Sequence, residues 1–136
     1  MDTSVWSLAF RRKDTDLNLR ERGLVGALRE LIQEGRVQII GSIRQELLSG
    51  VRELERHRRV RDKLRAFPDL VLDAGDYEEA AHLSNQCRAR GITGSPIDFL
   101  VCAVAQSRHW EIFTTDRDFE RYGKAIPVRL FGLRNA

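Results

Sequence analysis

The chain has 136 residues, 42% hydrophobic and 32% charged, which suits one domain with one core and leaves no length for a second. No run approaches the about 20 apolar residues that a membrane helix needs, and no secretory apolar run opens the chain, so a cytoplasmic protein is expected. The net charge of +3 is unevenly spread: between residues 51 and 65 seven arginines and lysines face three acids, a local +4, leaving −1 for the remainder.

Apolar residues Leu24, Val25, Leu28, Leu31 and Ile32 recur at helical spacing, which predicts a helix over about 16–34 ended by Gly35. VQII at 37–40 is a short strand candidate. Another helix is expected from Ser42, with Ser42 as its cap and Gln45 as reciprocal partner. The basic segment makes a helix over about 52–66, closed by Pro68. A strand at 70–72 and a helix at 77–90, ended by Gly91, come next. In SPIDFLVCAVAQSRH, Ser95 is a good N-cap and Pro96 occupies the first helical position. Its apolar residues run almost all round, so this helix is expected to be central and buried. A strand at 112–114, a short helix at 116–122 and a last strand at 128–130 complete the chain. Alternating strands and helices predict an α/β fold with a largely parallel sheet, whose ligands gather beyond the carboxyl ends of its strands.

Acidic residues fall at those ends. Asp2 opens DTSVWS, Asp116 and Asp118 follow the strand at 112–114, and Glu46 lies one turn into the helix after VQII. Asp98 occupies the first turn of the capped helix, where the helix dipole favours a carboxylate. Each acid has an ordinary explanation alone: a helix cap, a surface charge, a terminus. Converging in one crevice, they would repel one another unless a cation joined them. Oxygen donors without His or Cys suit Mg²⁺ or Mn²⁺ rather than zinc, and a cation so held serves phosphodiester cleavage. His57, His82 and His109 show no ligand spacing, and Cys87 and Cys102 are expected as structural thiols. No GxxxxGK[ST] or GxGxxG loop is present, so nucleotide-binding classes lack support. The arginines and lysines of the basic segment, Arg56, Arg59 and Lys63 among them, are candidates for tracking a phosphate backbone, with a solvated helix face laced by ion pairs as the ordinary alternative.

DTSVWS, SIRQELLSG, GSPIDFLVCAVA and TTDRDF, in that order, resemble the four motif regions of the PIN domain, over nearly the whole of residues 1–136. Among PIN proteins, the short single-domain VapC-type toxins of toxin–antitoxin pairs are the most similar. The resemblance implies a three-layer α/β/α domain with a central, mostly parallel sheet and Mg²⁺-dependent endoribonuclease activity. It further implies RNA as substrate, homodimers, and inhibition by a cognate antitoxin whose tail enters the active site. Carried over by motif, Asp2, Glu46, Asp98 and Asp116 match the acidic quartet that holds metal, Asp118 matches a further acid, and Thr3 or Ser4 orients a ligand or water. One departure stands out: the family has an apolar strand before the first aspartate, and here only Met1 precedes Asp2, so that strand is expected to be truncated and the metal held more weakly. Two other classes compete. A haloacid dehalogenase-type phosphatase wants an acid where Ser4 stands. A catalytically silent PIN-like module for RNA binding or protein interaction has no need of mutually repelling carboxylates.

Overall fold

A computed structural model describes residues 1–10 and 16–132. The remaining residues of the expected 1–136 domain lie outside the described ones. Contacts gather the chain into two compact units, Met1 with Thr3–Leu70 and Asp2 with Val71–Gly132.

In the first unit, α1 (Thr3–Phe10) buries Val5, Trp6 and Leu8, a helix where the sequence offered only a motif. Trp6 stacks on Phe10 at 5.4 Å between centroids and meets Phe67 edge-on at 5.0 Å. The next helix, α2 (Leu19–Gln33), begins at Asn18, whose side chain accepts from the Glu21 N–H while the Glu21 carboxylate accepts from the Asn18 N–H. Its buried face is Leu24, Val25 and Leu28, and Gly35 follows it with φ +66°, the left-handed conformation that makes glycine the natural stop.

Helix α3 (Gly41–Ser49) starts earlier than the cap at Ser42 predicts. Its N-cap is Ile40, without any side-chain cap bond, and Ser42 lies inside the helix. Burial of Ile39, Ile40 and Ile43 sets the entry here, outweighing the polar signal. Helix α4 (Leu54–Leu64) keeps only Val60 and Leu64 buried and turns its charged residues outward. At and after its C-terminal end, Arg44 of α3 donates to the carbonyls of Leu64 (3.0 Å) and Phe67, and to Asp69 Oδ1 at 2.8 Å. One guanidinium thus satisfies helix-end carbonyls that would otherwise lack partners.

The second unit is built on α5 (Ala74–Ala89) and α6 (Pro96–Arg108), which pack together. Helix α5 begins three residues before the expected start, because Asp73 and Asp76 form a reciprocal cap. Helix α6 starts as predicted, with Ser95 capping and Pro96 in its first turn, and Phe99 to Ala105 are buried without interruption. His109 ends it in the left-handed region, φ 58°. The short α7 (Asp118–Tyr122) buries Phe119 and Tyr122. Cys87 and Cys102 are free and buried, as expected of structural thiols, and burial, helped by the Asp98 charge, pushes the Cys102 thiol up to about 12.

The expected α/β architecture, a three-layer α/β/α domain with a central mostly parallel sheet, is not what the structure contains. Among the described residues no sheet forms: seven helices carry the regular structure, and the expected strands yield two isolated parallel bridges, Ile39 with Asp69 and Ile112 with Leu130. A run of β-branched and apolar residues signals extended, partly buried backbone, but a sheet also needs successive ladder partners. At 70–72 those partners are missing after one bond, Leu70 N–H to Ile39 C=O, and Val71 is 87% exposed. At 112 the pairing is a little richer: Ile112 donates to Arg129 C=O and accepts from the Phe131 N–H, both at 2.8 Å. That clamp matters because it fixes the segment leading to Asp116. No helix among the described residues is long and apolar enough to cross a membrane.

One ion pair ties the start of α5 to the end of α6. Arg108 donates to both carboxylate oxygens of buried Asp76, at 3.0 and 3.3 Å, and lies over the Trp110 ring at 5.9 Å. The Arg108 hydrogen bonds hold the Asp76 carboxyl below its ordinary value of 3.8. A depressed folded value means the pair stabilises fully above the ordinary carboxylate range and is lost as pH falls through the folded value. Asp76→Asn is expected to cost about 1.5–3 kcal/mol at neutral pH, typical of a charge-assisted bond. Urea unfolding of both proteins should show that gap narrowing as pH drops below 3.8.

Candidate metal centre

Two local structures deliver the acids. The first is the capped start of α6, where the Asp98 N–H donates to Ser95 Oγ at 3.1 Å and the carboxylate sits in the first helical turn. The second is the extended stretch after Ile112. There the Asp2 N–H donates to Phe113 C=O at 3.0 Å, bringing Asp2 beside a segment more than a hundred residues away.

Thr114 joins two acids. Its hydroxyl donates to Asp2 Oδ2 at 2.7 Å, and the same oxygen accepts the Asp116 N–H at 2.9 Å. Asp116 Oδ1 in turn accepts the Asp118 N–H at 2.9 Å, turning the chain into α7. Asp118 is met by the Arg121 guanidinium at 3.2 Å, which also donates to Thr93 C=O. On the α6 side, the Tyr122 hydroxyl donates to Asp98 Oδ2 at 2.6 Å.

The result is that carboxylate oxygens of Asp98, Asp116 and Asp118 lie within 4.8 Å of one another. Asp2 is only 5% exposed. Burial is the main cause that raises the Asp98 carboxyl; the Tyr122 hydrogen bond opposes it, and the charges of Asp2 and Asp116 reinforce it. Desolvation and neighbouring negative charge both favour the neutral carboxyl. The donors are hard oxygens, with neither histidine nor thiolate in the group, so the residues fit Mg²⁺ or Mn²⁺.

Asp98, Asp116 and Asp118 thus lie together, and Asp2 is tied to Asp116 through the Thr114 hydroxyl. Glu46 is an exposed residue of α3 in the first unit and is not one of the three grouped acids. Thr3 and Ser4 lie in the first turn of α1; the Thr3 hydroxyl is buried without a hydrogen-bond partner. On α4, Arg59 and Lys63 are exposed and Arg56 is half-buried. Thr114 and Tyr122 went unnoticed in the sequence. A hydroxyl two residues before Asp116 is a recognisable local signal, since threonine readily bonds the N–H two positions on. Nothing local announces Tyr122, whose partner is 24 residues away.

Three partly exposed carboxylates so close together form a group of oxygen donors that could hold a cation. The PIN domain family model matches residues 1–125, and the chain belongs to that family. PIN domains are generally nucleases and use divalent metals. They are typically α/β, whereas the described residues here are helical with isolated bridges. No curated protein matches the chain.

Thr114→Val keeps the side-chain shape and removes both hydroxyl bonds. It is expected to destabilise by about 1–3 kcal/mol, because a buried carboxylate loses a donor. Thr114→Ser, retaining the hydroxyl, should recover most of that loss in chemical denaturation.

Proposed function

We propose that the chain is a metal-dependent endoribonuclease and the toxin of a type II toxin–antitoxin pair, acting on RNA in the cytoplasm with Mg²⁺, or Mn²⁺ in its place. The observation that carries this reading is the convergence of Asp98, Asp116 and Asp118 in a chain of the PIN family. Asp2, Asp98 and Asp116 hold the cation, and Asp118 is the further acid beside them. Glu46 matches the remaining acid of the family's motifs by order alone. Bound there, the cation would supply Lewis-acid polarisation of the scissile phosphate and a more acidic water.

The chain's own residues do the rest. Thr114 fixes Asp2 and the Asp116 backbone through one hydroxyl, so two acids keep their mutual position. Outside the five candidate acids, fifteen acids face twenty-three arginines and lysines, so an acidic pocket lies in a basic body that attracts a polyanion. Arg56, Arg59 and Lys63, spaced three and four apart on α4, form a stripe for successive phosphates, and Thr3 and Ser4 orient substrate or water. A homodimer and an antitoxin that places a basic side chain in the acidic pocket complete the proposal.

Asp98→Ala should abolish EDTA-sensitive RNA cleavage, and its expression should no longer arrest growth in the native host. Cleavage at the wild-type rate would refute the assignment. Equal harmlessness of both forms would remove the toxin role while leaving the nuclease.

Neutralising Arg56, Arg59 and Lys63 together should weaken RNA binding and flatten its dependence on salt, since each phosphate contact releases counterions. Binding isotherms across a salt series would reveal it; an unchanged slope returns α4 to a solvated helix.

A further inference from the structure

Tyr122 is fully buried, and its ring is fixed by Phe99 at 4.9 Å and by Phe119 at 5.4 Å between centroids. Its hydroxyl leaves this apolar surround at one point, to donate to Asp98 Oδ2 at 2.6 Å. The route passes directly over Gly94. A Cβ built on Gly94 would lie 2.3 Å from the Tyr122 hydroxyl oxygen and 2.6 Å from two ring carbons, closer than any real side chain tolerates. Only a residue without a side chain lets the phenol reach the carboxylate.

We propose that Tyr122, seated over Gly94, is a positioning residue that holds the Asp98 carboxylate in the orientation a divalent cation requires. The inference rests on the metal-centre reading above and extends it to residues outside the acidic set. The physical argument is one of freedom. Asp98 is only half-buried at the start of a helix, beside other carboxylates that repel it, and left alone its side chain would turn away from them. A neutral donor on a ring that cannot move holds one oxygen without bringing a competing positive charge. The packing of Phe99 and Phe119 makes that donor rigid, and Gly94 makes it reachable. A buried tyrosine also requires a partner for its own hydroxyl, so the bond could exist for the tyrosine's sake, and the experiment must separate the two roles.

Titrating Mn²⁺ into metal-free protein by calorimetry does so. Tyr122→Phe keeps the ring and its packing and removes only the donor. Its Mn²⁺ affinity should fall by about tenfold or more, the usual consequence of losing a partner that orients a metal ligand. The Mn²⁺ concentration required for RNA cleavage should rise in parallel. Gly94→Ala, which retains the hydroxyl but displaces it, should weaken Mn²⁺ binding as well. If wild type binds Mn²⁺, Asp98→Asn does not, and Tyr122→Phe binds as tightly as wild type, the positioning role is overturned while the metal centre stands. If wild type itself shows no saturable binding, the metal-centre reading fails and this inference falls with it.

Discussion

Carboxylates that repel one another must be held together by something, and in this protein the holding is done by neutral hydrogen-bond donors. Thr114 fastens Asp2 to the backbone of Asp116, and Tyr122 fastens Asp98. A lysine or arginine in the midst of the cluster would neutralise its charge. Hydroxyl and amide donors orient the acids and leave their charge available. Arg121 approaches only Asp118, at the partly exposed side, where water screens the pair and its strength is slight.

The scaffold around these donors follows from that requirement. Helix α6 can place Asp98 reliably because seven successive residues after it are buried and its start is fixed by Ser95 and Pro96. The segment carrying Thr114 and Asp116 has no sheet to stiffen it. Its rigidity comes from the Ile112 bridge, from the contact of Phe113 with Phe131, and from the Asp2 N–H on the Phe113 carbonyl. A few well-placed backbone bonds thus do locally what a continuous ladder does in a larger sheet. The Asp76–Arg108 pair acts on the other end of α6 through charge-assisted bonds.

The unit formed by Met1 and Thr3–Leu70 is organised differently. Its centre is aromatic and aliphatic, with Trp6 between Phe10 and Phe67, and Arg44 gathers the carbonyls of Leu64 and Phe67 at and after the end of α4. With Val60 and Leu64 turned inward, most of the arginines and lysines of α4 face outward.

What the sequence determined by itself was whatever depends on neighbours a few residues apart. Helix α6 with its cap, the span of α2 and its glycine stop, and the buried cysteines were legible because 3.6-residue periodicity, capping residues and local hydropathy are short-range properties. Of the acids picked out by motif, Asp98, Asp116 and Asp118 lie close together in the folded chain, and Glu46 is not among them. The start of α3 was misread, since burial of Ile39, Ile40 and Ile43 overrode the polar signal at Ser42. The sheet was misread because alternation and β-branching report extended backbone, while pairing depends on which distant segment lies alongside, and here only single bridges form. Thr114 on Asp2, Tyr122 on Asp98 and the clearance over Gly94 are contacts between residues separated by up to 112 positions. Only the folded chain brings such residues within the 3 Å or so at which a hydrogen bond forms, so only the tertiary structure decided how the acids are held.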